Sequence, residues 1–141
     1  SPHGIWFVDF STISGVPKYR YMAVELISFY TVVKKCFPDY WPIYTEHRSI
    51  LSKTTGVGAM IRLMGYIHIR FLDDSIKKGL RTAEEYLYKP YINRLQEILS
   101  VLQEKAQTLF SFNGNFSGTG GRGLELALYN EMCRILSEKL G

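Results

Sequence analysis

The fold of this chain is decided by residues 51–71, which read LSKTTGVGAMIRLMGYIHIRF. This segment joins a loop rich in glycine and hydroxyl side chains to the most apolar helix candidate of the sequence. Apolar residues recur at intervals of three and four, at positions 60, 63, 64, 67 and 71, and this spacing places them on one helical face. Arg62 and Arg70 interrupt the pattern and need water or an anionic partner. The segment predicts a central helix that runs to about Leu72 and against which the other helices pack.

The loop before the central helix has two interpretations. In the first interpretation the loop is a plain helix cap with tight packing. The hydroxyl groups of 52–55 can cap the helix, and the glycines of the loop permit close approach of another backbone segment. Backbone N–H groups at a helix start also attract anions, so contact with an anion or a nucleic-acid backbone is the second. The lysine precedes the glycines, whereas in a nucleotide-binding P-loop it follows them, so nucleotide hydrolysis is not expected. The candidate anion-binding residues are Lys53, Thr54, Thr55, Gly56 and Gly58.

A second glycine-rich loop, 111–123, also precedes a predicted helix and carries one cation near its end. No βαβ pattern surrounds it, so a dinucleotide site is not predicted. A flexible connection, a phosphate-contacting loop and a partner-docking loop all remain open. Its candidate binding residues are Gly120, Gly121 and Arg122.

The rest of the sequence predicts further helices and one extended segment. The aromatic, β-branched run at 5–10 is typical of a strand or extended arm. Helical spacing, caps and breakers then predict a helix from Pro17 or Lys18 to Phe37–Pro38, a short helix at 46–51, a short helix capped by Asp73 and ended by Gly79, a helix at 82–110 that Pro90 kinks or splits near Tyr88, and a last helix at 124–140. We therefore predict a mainly α fold, a single domain built as a bundle of about five helices with a short N-terminal extended segment.

Composition sets the class of protein. At 141 residues and 46% apolar content, the chain is long enough for one compact core, and its apolar runs are shorter than the ~20 residues that span a bilayer. Cys36 and Cys133 have no Cys or His at zinc-ligand spacing, which favours buried free thiols over a disulfide or metal site. We predict no cofactor, no metal, no membrane partner and a cytoplasmic location. The sequence has neither a signal-peptide pattern nor an initiator Met, so we expect a processed chain or a piece of a longer protein.

The net charge of +4 resides in the middle of the sequence. Residues 46–81 hold seven Lys and Arg against three Asp and Glu, and the remaining residues hold ten of each. This asymmetry predicts a basic face for an anionic partner, which DNA or RNA would satisfy. Its candidate residues are Lys53, Arg62, Arg70, Lys77 and Lys78.

Candidates for catalysis are few. His3, His47 and His68 have no Asp or Glu at helical spacing on a shared face, and no Ser lies in a nucleophile-elbow pattern. We interpret His68 as a surface or packed histidine rather than a general base. The acidic pairs at 73–74 and 84–85 are interpreted as helix-cap charges rather than metal ligands.

Residues 51–63, LSKTTGVGAMIRL, resemble a segment toward the C-terminal side of bacterial DGQHR-domain proteins, relatives of regulators in DNA-modification and phage-defence systems. The resemblance implies that this chain is the helical C-terminal part of such a protein. The Asp-Gly-Gln-His-Arg string itself does not occur in this sequence, so no site residue is transferred.

Two functions follow as hypotheses. The first is a non-catalytic accessory module that binds an anionic partner, nucleic acid in a DNA-linked bacterial system, through residues 46–81 and the two glycine loops. The alternative is a helical protein-interaction or oligomerisation module, which contacts the rest of its parent protein or a second copy through the 82–110 helix and exposed aromatics. An enzyme ranks third.

Overall fold

A computed structural model of the chain describes residues 18–41, 49–51, 53–112, 114–117 and 122–141. Within these ranges the chain forms six α-helices, two 3-10 turns and no β-strand, which confirms the mainly α prediction. The extended segment predicted at 5–10 and most of the short helix predicted at 46–51 lie outside the described residues, while 49–51 are not helical. The helices are α1 (Lys18–Cys36), α2 (Thr54–Phe71), α3 (Asp74–Thr82), α4 (Lys89–Ser100), α5 (Ala106–Phe110) and α6 (Arg122–Leu140), with 3-10 turns at Pro38–Tyr40 and Gln103–Lys105.

The bundle is built from two pairs of parallel helices. Helices α2 and α6 form one pair, in which Arg62 meets Glu125 and Arg70 meets Ser137, so contacts advance in the same direction along both helices. Helices α1 and α4 form the other. Glu25 contacts Tyr91 near one end, and the backbone oxygen of Cys36 accepts from Gln103 just beyond the other end.

One core joins both pairs. The apolar face predicted for α2 is buried at Met60, Leu63, Met64 and Ile67, whereas Phe71 at its end is half-buried. Helices α1, α4, α5 and α6 contribute further fully buried residues, Phe29, Leu95, Leu99, Phe110, Leu128 and Leu136. None of the described helices combines the length and the apolar character that crossing a bilayer requires.

Helix α3 begins as predicted but ends later. The Asp73 carboxylate accepts from the backbone N–H of Ile76 at 3.0 Å and caps the helix. Gly79 does not end it, so that prediction is wrong, and the helix continues to Thr82. The glycine instead makes room for a neighbour, because a Cβ atom at this position would overlap the phenol oxygen of Tyr88.

The helix predicted over 82–110, with a kink or a split at Pro90, is split near Tyr88 in the structure, and the helical prediction for 83–88 is wrong. Residues 83–88, which we call the strap, are non-helical, and α4 begins at Lys89 with Pro90 in its first turn. The backbone of the strap forms hydrogen bonds with side chains of α1. Its Glu84 backbone oxygen accepts from Arg20 at 2.8 Å, and the Tyr88 backbone N–H donates to Ser28 at 3.4 Å. The 3-10 turn at Gln103–Lys105 then separates α4 from α5.

Both cysteines are free thiols. Cys36 is buried at the end of α1, and burial raises the pKa of its thiol. Cys133 is half-buried on α6, and burial raises its pKa as well. Both thiols are therefore held in the protonated form, which is the less reactive one.

Candidate functional site

Helix α2 carries two arginines and a tyrosine at four-residue intervals, Arg62, Tyr66 and Arg70, which we call the α2 stripe. Its ends lie about 12 Å apart along the helix and about 80° apart around it. The stripe lies along the junction with α6, because both arginines bond to that helix or to the residue after it. The structure therefore brings the two arginines predicted from the sequence to one side of α2.

Arg62 already has an intramolecular counterion. Its Nε lies 2.7 Å from Oε2 of Glu125, with 36% of the arginine side chain and 18% of the glutamate side chain exposed. Gly58 makes this geometry possible, because a Cβ atom there would overlap the Glu125 carboxylate. A guanidinium has four further N–H donors besides Nε–H, but an anion bound here must compete with Glu125 for the charge.

Arg70 is exposed and lies against aromatic rings. Its guanidinium carbon is 5.9 Å from the centroid of the Tyr66 ring and 5.8 Å from that of Phe71. It also donates long hydrogen bonds to Ser137 Oγ at 3.4 Å and to the backbone oxygen of Gly141 at 3.5 Å. The ring faces and these weak bonds orient the guanidinium while leaving it accessible to solvent.

An uncharged aromatic cluster lies beside the stripe. The Tyr66 and Tyr129 rings meet edge to face at 6.4 Å. Burial, reinforced by a hydrogen bond with Cys133, raises the pKa of Tyr129 to about 12. The phenol therefore stays neutral at physiological pH, and the charge of this region comes from the arginines and Glu125.

The first glycine loop is used mainly for packing. Lys53 is the exposed N-cap residue of α2 and makes no side-chain capping bond. The predicted capping by hydroxyls is therefore wrong for Thr54 and Thr55, which lie inside the helix, while residue 52 is outside the described ranges. Gly56 is buried, and a Cβ atom there would overlap the backbone of 50–51, so close backbone approach is confirmed.

The other predicted binding residues that the structure describes lie on several different elements. Lys53 lies at one end of α2, whose 18 residues span about 27 Å, while the half-buried Lys77 and exposed Lys78 lie on α3, beyond the other end. Arg122 opens α6, and its side chain is not described. Gly120 and Gly121 lie outside the described residues.

A buried polar network, Glu25–His68–Tyr91, was missed by the sequence analysis. His68 Nδ1 lies 2.5 Å from Oε2 of Glu25, with 5% and 2% of the two side chains exposed, and Tyr91 on α4 also hydrogen-bonds to Glu25. His68 is thus a packed histidine, which was one of the two interpretations, surface or packed, offered by the sequence. The available signal was its position one turn after Met64 on the apolar face of α2, which requires a buried polar partner.

The tyrosine of this network gives a pH prediction. Burial, then the charge and hydrogen bond of Glu25, raise the pKa of Tyr91 well above 10. In the unfolded chain a tyrosine ionises at about 10, so above this pH the unfolded state binds fewer protons and folding stability falls as pH rises. We expect Tyr91→Phe to remove up to about 1.4 kcal/mol per pH unit of this loss above pH ~10, measured by urea denaturation between pH 7 and 11.

The pH slope, rather than stability at pH 7, is the informative quantity, because Tyr91→Phe also removes a hydrogen bond to Glu25. Burial also raises the pKa of Tyr30 and Tyr129, so part of the alkaline loss remains in the variant. Tyr86→Phe, which removes a 70% exposed phenol, is the matched control. Equal slopes for wild type and Tyr91→Phe would contradict the prediction.

The described residues offer binding chemistry at the surface. Their single histidine, His68, is sealed in the core, whereas guanidinium and aromatic groups meet at the α2 stripe. No protein-family model, no curated protein and no solved structure matches this chain.

Proposed function

We propose that this chain is a non-catalytic module that binds nucleic acid through the α2 stripe and the surrounding basic segment. The observation that carries the proposal is the alternation of guanidinium and aromatic side chains along α2, with Arg70 oriented on Tyr66 and Phe71. Positive groups neutralise phosphates, and rings and guanidinium planes stack on bases. The excess of positive charge in residues 46–81 adds longer-range attraction. The resemblance of residues 51–63 to DGQHR-domain proteins supports a DNA-linked bacterial system as the setting.

The contact with Glu125 sets the expected strength of binding. A phosphate that approaches Arg62 displaces or shares a carboxylate already 2.7 Å away. Exchanging the carboxylate for a phosphate lowers the net free energy gained on binding. We therefore expect moderate affinity that falls steeply with salt. Arg70, whose hydrogen bonds are long, exchanges its partners more easily.

The proposal predicts that binding affinity depends on salt concentration and that this dependence changes when an arginine of the α2 stripe is replaced. The affinity for a fluorescent oligonucleotide, measured by anisotropy from ~50 mM salt upward, should fall with a log-log slope near −0.9 per phosphate contacted on duplex DNA. Arg70→Ala should weaken binding regardless of base sequence and make the slope shallower by about one unit. Arg94→Ala, which removes an arginine paired with Glu97 on α4, is the matched control and should leave the slope nearly unchanged.

A companion substitution at Glu125 tests the competition directly. Glu125→Gln frees Arg62 and should strengthen binding. Glu138→Gln raises the net charge equally but removes only one of the two carboxylates that pair with Arg134 on the surface of α6. If both variants strengthen binding alike, net charge rather than the stripe is responsible. If the wild-type chain shows no detectable binding to single- or double-stranded DNA or RNA at ~50 mM salt, the nucleic-acid proposal is wrong and the protein-interaction alternative replaces it.

A further inference from the structure

The width of the α2/α6 pair limits the kind of nucleic acid that the α2 stripe can read. Both arginines of the stripe bond to α6, so the stripe lies along the junction of two parallel helices. Packed helices have axes about 8–10 Å apart and diameters of about 10–12 Å, so the pair is about 20 Å wide. The major groove of B-DNA is about 12 Å wide and admits one helix. The stripe therefore cannot reach base edges in the groove of a duplex.

The rest of α2 offers little for reading base edges. From residue 57 to residue 71 its polar side chains are those of the stripe and the buried His68. The large side chains most exposed beside them are apolar, with Ile69 68% exposed and Val57 41%. Neither can form a hydrogen bond with a base, and helices that read duplex DNA do so mainly through such bonds.

The stripe instead presents surfaces on which a base can stack. The Tyr66 and Phe71 rings meet edge to face at 5.7 Å, and the Arg70 guanidinium carbon lies 5.9 Å and 5.8 Å from their centroids. The exposed guanidinium thus extends this aromatic surface toward solvent. Unpaired bases stack on aromatic rings and guanidinium planes, whereas in a duplex the faces of each base are covered by neighbouring base pairs.

Few charges are available at the stripe to hold phosphates. Arg62 is paired with Glu125 at 2.7 Å, and the hydrogen bonds of Arg70 are long, at 3.4 and 3.5 Å. Binding through phosphate contacts alone grows with the number of phosphates neutralised, and two arginines neutralise few. Stacking must therefore supply a large share of any affinity at this site.

Other acids near the ends of the α2/α6 pair are engaged elsewhere. Glu131 and Glu138 of α6 both pair with Arg134. The acids at 73–74, which follow α2, belong to the start of α3, and α3 packs on α1 and α4. These carboxylates therefore leave the approach to Arg70 open.

We propose that the α2 stripe binds single-stranded nucleic acid, DNA or RNA, with an unpaired base stacked on the Arg70 guanidinium beside the Tyr66 and Phe71 rings. This inference rests on the proposed nucleic-acid function and narrows it to one class of ligand. The edge of the guanidinium and Arg62 contact phosphates next to the stacked base. A duplex meets the stripe only through its phosphates and binds more weakly.

The test compares three labelled ligands of the full chain by fluorescence anisotropy at ~50 mM salt. They are a single strand of DNA, the RNA strand of the same sequence, and the duplex of the DNA strand with its complement. One stacked base is worth about five- to 150-fold in affinity, so both single strands should bind at least about fivefold more tightly than the duplex. Duplex binding as tight as that of the single strands would overturn this inference alone. Absence of binding to all three ligands would overturn the proposed function as well.

Arg70→Lys separates stacking from charge, because lysine keeps the positive charge and lacks the planar guanidinium. Affinity for the single strands should fall about fivefold or more, while affinity for the duplex stays nearly unchanged. Arg94→Lys, which makes the same change in the pair with Glu97 on α4, is the matched control and should alter neither affinity. Arg70 is exposed, so the melting temperature should change little. Equal single-strand affinity for wild type and Arg70→Lys would overturn the proposal.

Discussion

Replacing His68 with alanine is expected to lower the free energy of unfolding by about 3–5 kcal/mol, because the Glu25 carboxylate stays buried after the imidazole that faces it has been removed. Glu25, at 2% side-chain exposure, would lose a contact of 2.5 Å and keep its hydrogen bond with Tyr91. A single domain has only about 5–15 kcal/mol of stability in total, so the variant should be close to unfolding. Urea denaturation followed by circular dichroism measures the loss.

A second variant distinguishes a polar penalty from simple loss of volume. Replacing all three network residues with apolar ones, Glu25→Leu, His68→Leu and Tyr91→Phe, should recover much of the stability that His68→Ala loses, because apolar side chains need no partners. Arg134→Ala, in an exposed pair with Glu131, should change stability far less. A loss below about 1 kcal/mol for His68→Ala would show that the network does not hold α1, α2 and α4 together.

Gly56→Ala is expected to destabilise the fold by about 1–3 kcal/mol, the usual cost of overpacking, although alanine is ordinarily better than glycine inside a helix by about 1 kcal/mol. The added Cβ would overlap the Ile50 backbone oxygen and lie 2.7 Å from the Leu51 Cα. Backbone atoms cannot rotate away as a side chain can. The first turn of α2 must therefore shift away from the backbone of residues 50–51. That movement strains the hydrogen bond of 2.8 Å from the Ile50 N–H to the Phe110 oxygen.

Gly123→Ala supplies the matched control for this substitution. Gly123 lies in the first turn of α6, and a Cβ atom there would meet no atom within 4 Å. The same change should therefore leave stability unchanged or raise it slightly. If thermal and urea denaturation show that Gly56→Ala is as stable as Gly123→Ala, the close approach at Gly56 is not a real constraint.

The parts of the fold that could be predicted depend on neighbouring residues. The apolar spacing of α2 and the capping of α3 by Asp73 both lie within one or two helical turns, and both predictions are confirmed. The prediction of helix at 83–88 failed because distant partners, Arg20 and Ser28, hold the strap in another conformation. Local propensity cannot reveal a partner 58 to 64 residues away.

The same distinction applies to the candidate site. The shared side of Arg62 and Arg70 follows from their spacing on one helix, and the structure shows it. The carboxylate facing Arg62 lies 63 residues away and the one facing His68 lies 43 residues away, so neither could be assigned from one sequence. Whether the stripe and the loops bind nucleic acid stays a prediction.

The parallel pairing of α2 with α6 also constrains how the chain is made. About fifty residues separate the end of α2 from the start of α6. At a synthesis rate of about 5–20 residues per second, a ribosome needs roughly 3–10 seconds to produce them. Throughout that interval α2 lacks the helix with which it pairs, so the side of α2 that carries Arg62 and Arg70 has no partner until the last helix has been made.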